Sequence, residues 1–219
     1  MLTLAEAMLL LSLNEKRKTV ALPASTNFSY MLAGSLLAQL RLQGLIDLNE
    51  DKVVVKPDTP PADNTLENEL LDDILRSDRP RKITHWVNRF GSRGRKLQKQ
   101  ILENLIGKGV LKKEQKRYLW VIPYAEYAQQ DASAKYWWKQ HLRGIVLAGE
   151  AAGEQAIAML NLLKAGDLLD HLFTSDEIKY ARKQVDNLVE GEVFGQAVND
   201  ILEEIAAVAA AAAALAALD

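Results

Sequence analysis

Apolar positions recur at helical spacing through most of this chain, and the interruptions between them are turns and loops rather than long polar stretches. Leu4, Met8, Leu9 and Leu11 outline an opening helix within residues 1–13. Residues 14–18 read as a charged turn, and the short apolar stretch 19–22 stops at Pro23. Ser25, Thr26 and Asn27 offer N-cap chemistry to a long apolar helix over about 28–43, and Gly44 stands just past its last turn, where a helix-ending glycine belongs. Residues 45–48 and 52–56 flank Asn49, Glu50 and Asp51 and predict a β-hairpin. A proline-rich loop (Pro57, Pro60, Pro61) leads to a helix over 65–76 with Leu66, Leu70, Leu71, Ile74 and Leu75 on one face. Pro80 breaks it. A short helix over 83–90, a turn over 91–94 and a helix over 95–108 follow, the last with Leu97, Ile101, Leu102, Leu105 and Ile106 at helical spacing and Gly109 at its end. Residues 110–111 and 117–122 predict a second hairpin around 113–116. After Pro123 the pattern is helical over 135–147, 152–164, 167–173 and 176–189, with Thr174 and Glu177 at capping-box spacing.

These elements define a mainly α fold, a central helical bundle surrounded by amphipathic helices with one or two short β-hairpins. A helix, a glycine and a hairpin occur twice. Shifted by 65 residues, Leu37, Leu40, Gly44, Leu45, Ile46 and Val54 fall on Leu102, Leu105, Gly109, Val110, Leu111 and Leu119. Shared local physics accounts for so short an echo as readily as duplication does.

Composition narrows the class. With 219 residues, 48% of them hydrophobic, the chain fills one core, so a single domain over 1–219 is expected. It has no cysteine, which removes disulfides, thiolate metal sites and a cysteine nucleophile and fits a reducing compartment. No uncharged run reaches the roughly 18 apolar residues of a spanning helix; the alanine-rich tail at 205–218 is too short. The expected location is cytoplasmic, peripheral to a membrane.

The net charge of −2 hides a segregation. Residues 76–117 hold 14 Lys or Arg against the acids Asp78, Glu103 and Glu114, a net of +11 that leaves −13 for the rest. Such a segment attracts anions even in a slightly acidic protein. Within it, Gly91-Ser92-Arg93-Gly94 precedes a basic helix, a spelling that can offer backbone N–H groups to a phosphate and also matches the loop of KH nucleic-acid domains. Two helix-ending glycines would read the same way. The candidate anion-binding residues are Arg89, Arg93, Arg95, Lys96 and Lys99.

Catalytic chemistry has no constellation to carry it. His85, His141 and His171 are far apart and outside any metal-ligand spacing, and no nucleophile elbow, Walker loop or dinucleotide fingerprint is present. Adjacent carboxylates such as Asp72 and Asp73 point in different helix directions. The expectation is a non-enzyme with no cofactor and no metal. Tyr136, Trp137 and Trp138 with Lys139 and Arg143 form a mix found at membrane interfaces, although core filling or a subunit contact explains such rings more often. Leu119, Trp120 and Val121 in the second hairpin need a cover, which a second subunit could supply, so a homo-oligomer is expected.

The order of segments resembles the Golgi phosphoprotein three family. The resemblance rests on Leu2-Thr3-Leu4-Ala5-Glu6 followed by Leu9-Leu10-Leu11-Ser12-Leu13, the helix-to-strand passage 36–48, Lys108-Gly109-Val110-Leu111, and Asp176-Glu177 leading to Ala181-Arg182-Lys183. It implies a peripheral adaptor that binds phosphatidylinositol 4-phosphate on Golgi membranes through a basic face, retains glycosyltransferase clients, and self-associates through the second hairpin. The family's lipid pocket transfers in part: its tryptophan and first arginine align with Ala24 and Ala33, and its two later arginines with Arg95 and Gln98. General anion binding carries over better than the specific pocket. The alternative is a nucleic-acid binder built on winged-helix-like units, against which stand the acidic whole and a first unit whose residues 35–43 hold only Arg41.

Overall fold

The computed structural model describes residues 2–13, 26–57, 59–62, 65–118, 122–193, 196–197 and 199–200. Two helices with no polar side form its centre. Helix α1 (Leu4–Ser12) is buried along its whole length, and α2 (Thr26–Leu42) is buried almost throughout, the pattern of helices enclosed on every side. Around α2 pack α1, α4 (Ile83–Gly91), α5 (Gly94–Gly107) and α7 (Glu154–Ala165). The amphipathic helices α3 (Thr65–Leu75), α6 (Ser133–Arg143) and α8 (Ile178–Leu188) lie outside them. The mainly helical expectation holds.

The start of α1 is fixed by a capping box: the Glu6 backbone N–H donates to Thr3 Oγ1 at 3.2 Å, and the Thr3 N–H donates to Glu6 Oε2 at 2.8 Å. The Glu6 carboxylate is itself buried, and Lys108 Nζ, just past α5, donates to it at 2.7 Å. One acid thus caps α1 and ties it to the far end of α5. The acid that interrupts the opening apolar run is a structural anchor.

The two helix–glycine–hairpin units share their geometry. Gly44 and Gly109 have φ of +74° and +70°, and in each unit the chain closes with the same pair of bonds: Leu45 N–H to Leu40 C=O at 3.0 Å with Gly44 to Arg41 at 2.8 Å, and Val110 to Leu105 at 3.0 Å with Gly109 to Ile106 at 2.9 Å. This is a Schellman motif, completed by the buried pairs Leu40/Leu45 and Leu105/Val110. The first hairpin, β1 (Ile46–Asn49) and β2 (Lys52–Val55), turns through Glu50 and Asp51, both at positive φ. It gains a third strand, β3 (Arg81–Lys82), and the Asp51 C=O accepts the Ile83 N–H at 2.9 Å, so the hairpin tip sets the start of α4.

The second hairpin differs from its predicted form. β4 (Leu111–Tyr118) pairs antiparallel with β5 (Ile122–Gln129), placing residues 113–116 inside a strand and not in a turn, and the stretch after Pro123 opens with a strand before it becomes helical. Residues 112–118 contain no Gly, Pro or Asn; the predicted turn rested on charge alone, and ladder pairing overrides that. Leu119, Trp120 and Val121 lie outside the described residues, as do Ala24 and the alanine-rich tail. Leu75 is also misplaced by the pattern. It is 62% exposed, because one residue beyond Ile74 the helix has turned about 100° away from the core.

Arg143, at the end of α6, makes a bidentate pair with Glu177 at 2.7 and 2.8 Å and also donates to the Leu172 carbonyl at 2.8 Å. The guanidinium, helped by the Thr174 N–H, holds the Glu177 carboxyl down to about 2 from an ordinary value of 4.5. Its contribution to stability is therefore complete above the ordinary value and disappears as pH falls through about 2. Urea titrations of the parent and Glu177→Gln should show the parent more stable at pH 6, with the gap closing between about pH 4.5 and 2. A gap that stays constant over that range contradicts the assignment.

Candidate functional site

The basic segment folds into α4, the joint at Ser92 and Arg93, and α5. On α4, Ile83, Trp86, Val87 and Phe90 face the core, and His85 and Arg89 lie four residues apart on the outer side, with Arg81 of β3 just before the helix. Trp86 stacks on Phe90 at 5.5 Å, and the guanidinia of Arg89 and Arg93 lie 6.0 and 5.9 Å from the Trp86 and Phe90 rings. Burial lowers the His85 pKa first, and the neighbouring Arg81 and Arg89 lower it further, so this stripe resists gaining one more positive charge.

The two glycines serve packing. Gly91 is buried inside α4 against the Tyr30 ring and Gly94 against Ser29, and a Cβ at either position would overlap those side chains. Nor is the joint an open phosphate cradle. The backbone N–H groups of Ser92, Arg93 and Lys96 already donate to Asn88, Phe90 and Arg93 carbonyls at 2.9, 3.1 and 2.9 Å. Gly91-Ser92-Arg93-Gly94 thus brings α4 and α5 close to α2, a packing role that accounts for both glycines without a bound phosphate. Gly91→Ala should cost about 1–3 kcal/mol by overpacking, with a matching fall in the urea midpoint.

The side-chain charges are largely met from α3. Asp73 receives both Arg93 at 2.7 Å and Arg89 at 3.4 Å. Glu69 receives Lys96 at 3.0 Å and Gln100 at 3.2 Å, and the Lys96 hydrogen bond holds its carboxyl below the usual range. Lys99 lies 3.7 Å from Glu103, an exposed pair worth little. Arg95 is exposed and has no acid partner among the described residues. For these five cations, Asp73, Glu69 and Glu103 leave a surplus of two; over the whole of residues 76–117 the two α3 acids lower the count from +11 to +9. Sequence reasoning missed Glu69 and Asp73. Their signal was present, since they are four residues apart on the flank of α3 that borders Leu66 and Leu70.

At the position aligned with the family's lipid pocket, Gln98 Nε2 donates to Ser29 Oγ at 3.4 Å, joining α5 to the first turns of α2. Ala33 is fully buried and presents nothing to a headgroup. Of the aligned positions that are described, only Arg95 offers a charge.

These features define a class: a helical protein with a partly neutralised basic rim and, among the described residues, no helix long and apolar enough to cross a membrane. The model of the Golgi phosphoprotein 3 (GPP34) family matches residues 4–205, and the chain belongs to that family. Membership supports a Golgi-associated, adaptor-type function and lends nothing to the nucleic-acid alternative.

Because Arg93 and Lys96 face acids, charge reversal there is not a silent surface change. Arg93→Glu with Lys96→Glu should cost roughly 1–2 kcal/mol of stability, through lost pairs and new like-charge contacts. Arg95→Glu with Lys99→Glu should stay within about 0.5 kcal/mol per site. Equal urea midpoints for the two double variants would contradict the pairing scheme.

Proposed function

We propose that this protein is a non-catalytic peripheral membrane adaptor that docks on anionic lipid headgroups through the outer face of α4 and α5, with protein clients as its cargo. The observation that carries this reading is the surplus charge at that face, made up of Arg95 at the start of α5 and the second guanidinium that shares Asp73, with Lys99 held only by its weak exposed pair with Glu103. Family membership supplies the setting. Arg95 and Lys99 face solvent without engaging α3, and only the weak Glu103 pair holds Lys99, so these two side chains are the best placed to reach phosphates. The absence of charge at Ala33 favours a general preference for anionic headgroups over one stereospecific pocket. Residues 1–219 are taken as one unit, a choice supported by the family match over 4–205 and the contiguous buried cluster from Leu4 to Ala197.

The acids of α3 then act as a brake. A juxtamembrane Lys or Arg contributes about 1 kcal/mol at an anionic surface, so Arg95→Ala with Lys99→Ala should weaken binding to phosphatidylglycerol vesicles roughly thirtyfold. Asp73→Asn frees the two guanidinia and should strengthen binding about fivefold at low salt. Co-sedimentation with anionic and with neutral vesicles tests both. Indifference of the parent to vesicle charge, or unchanged affinity in both variants, removes this face as the lipid contact.

A further inference from the structure

The most exposed aromatic surface of the described residues lies on α6, away from the cations of α4 and α5 in the sequence and not used by the docking described so far. Tyr136 and Trp137 are 65% and 53% exposed, while their neighbours Trp138 and Leu142 turn into the core. Trp137 stacks on His141 with ring centroids 4.8 Å apart and meets Trp138 edge-on at 5.2 Å, so the exposed indole is backed by other rings. Beside it opens a mostly apolar cavity of about 550 Å³, whose walls include Leu2, Lys108, Val110, Asp131 and Trp138. Val110 is also the root of β4, which continues into Lys112 and Lys113; both are exposed, with no acid partner among the described residues.

That juxtaposition selects an occupant. Tyr and Trp have apolar bodies with polar tips, the combination that settles at the boundary between headgroups and acyl chains. The exposed Lys112 and Lys113, two and three residues along β4 from the cavity wall at Val110, add positive charge to this end of the hairpin and favour an anionic surface. An anionic bilayer surface offers both. We propose that the Tyr136–Trp137 face of α6 is an interfacial anchor, inserting at the headgroup level of an anionic membrane as a second contact in addition to that of the α4–α5 cations. The inference rests on the membrane-docking reading and adds to it an apolar contact that salt does not screen.

Tryptophan fluorescence tests it directly. Trp86 and Trp138 are 2% and 5% exposed, so in a Trp120→Phe variant the indole open to a membrane is Trp137. Equimolar phosphatidylcholine and phosphatidylglycerol vesicles with brominated acyl chains should quench that variant's emission, and the further change Trp137→Phe should abolish the quenching. Tyr136→Ser with Trp137→Ser should weaken vesicle binding tenfold or more, by about the apolar area withdrawn from water, with an unchanged circular dichroism spectrum. Co-sedimentation without quenching overturns the anchor and leaves the membrane reading intact. Failure to sediment with any anionic vesicle overturns both. A fall in molar mass by light scattering in the Tyr136→Ser/Trp137→Ser variant shows that a second copy covers the patch, and that also overturns the anchor.

Discussion

Two helices without a polar face, α1 and α2, set the problem that the rest of this chain solves. Apart from Asn27 and Arg41 near the ends of α2, neither presents a side to water, so other elements must cover them all round. Close approach is the means on one flank: glycine at 91 and 94 lets α4 and α5 lie against Tyr30 and Ser29 of α2. Covering elements of this kind need a polar outer side, and here that side is basic on α4 and α5. The position of the cations is thus a consequence of the core. Glu6 adds the complementary constraint at the other end, because a buried carboxylate that caps α1 must be neutralised, and Lys108 does so at 2.7 Å. Removing that lysine would leave a buried charge unpaired, a larger penalty than the loss of an exposed pair.

The contrast between linear and spatial charge follows from the same packing. A window over residues 76–117 collects the cations of α4 and α5 but stops short of Glu69 and Asp73, which belong to the preceding helix. Once α3 lies alongside, its acids reach Arg89, Arg93 and Lys96. These pairs are partly exposed and individually weak. Their larger effect is on the outward field, which they weaken at Arg89, Arg93 and Lys96. At physiological ionic strength such a field decays over about 8 Å, so it acts on a surface already close and does little to steer from afar.

What the sequence made legible was whatever is decided within about one helical turn. The Gly44 and Gly109 terminations, the Glu50–Asp51 turn and the apolar face of α5 were all readable, because each depends on local dihedral preference or on 3.6-residue spacing. The partners of the basic helix were not, since they depend on which helix lies next to which. The length of the second hairpin was missed for a related reason: strand pairing is a non-local choice, and seven residues of mostly charged sequence carry little intrinsic signal for it. The tryptophan pair on α6 shows the limit within one dipeptide. Periodicity could not tell Trp137 from Trp138 until the packing of α6 against α1 fixed which of them turns inward.

Weak contacts have a particular logic in a peripheral protein. A surplus of two charges at an anionic surface is worth about 2 kcal/mol, too little to hold the chain there alone, and a single apolar contact is similarly insufficient. Stable but reversible attachment takes two signals acting together. Where both faces meet one bilayer, engagement of the first raises the effective concentration of the second, and the affinities multiply without any new contact. The two terms also answer to different conditions, since salt screens the α4–α5 face and leaves an apolar anchor untouched. Asp73 then occupies a sensitive position: it holds two guanidinia with one carboxylate. Any change that withdraws that carboxylate strengthens the electrostatic half of the attachment while leaving the core that positions it in place.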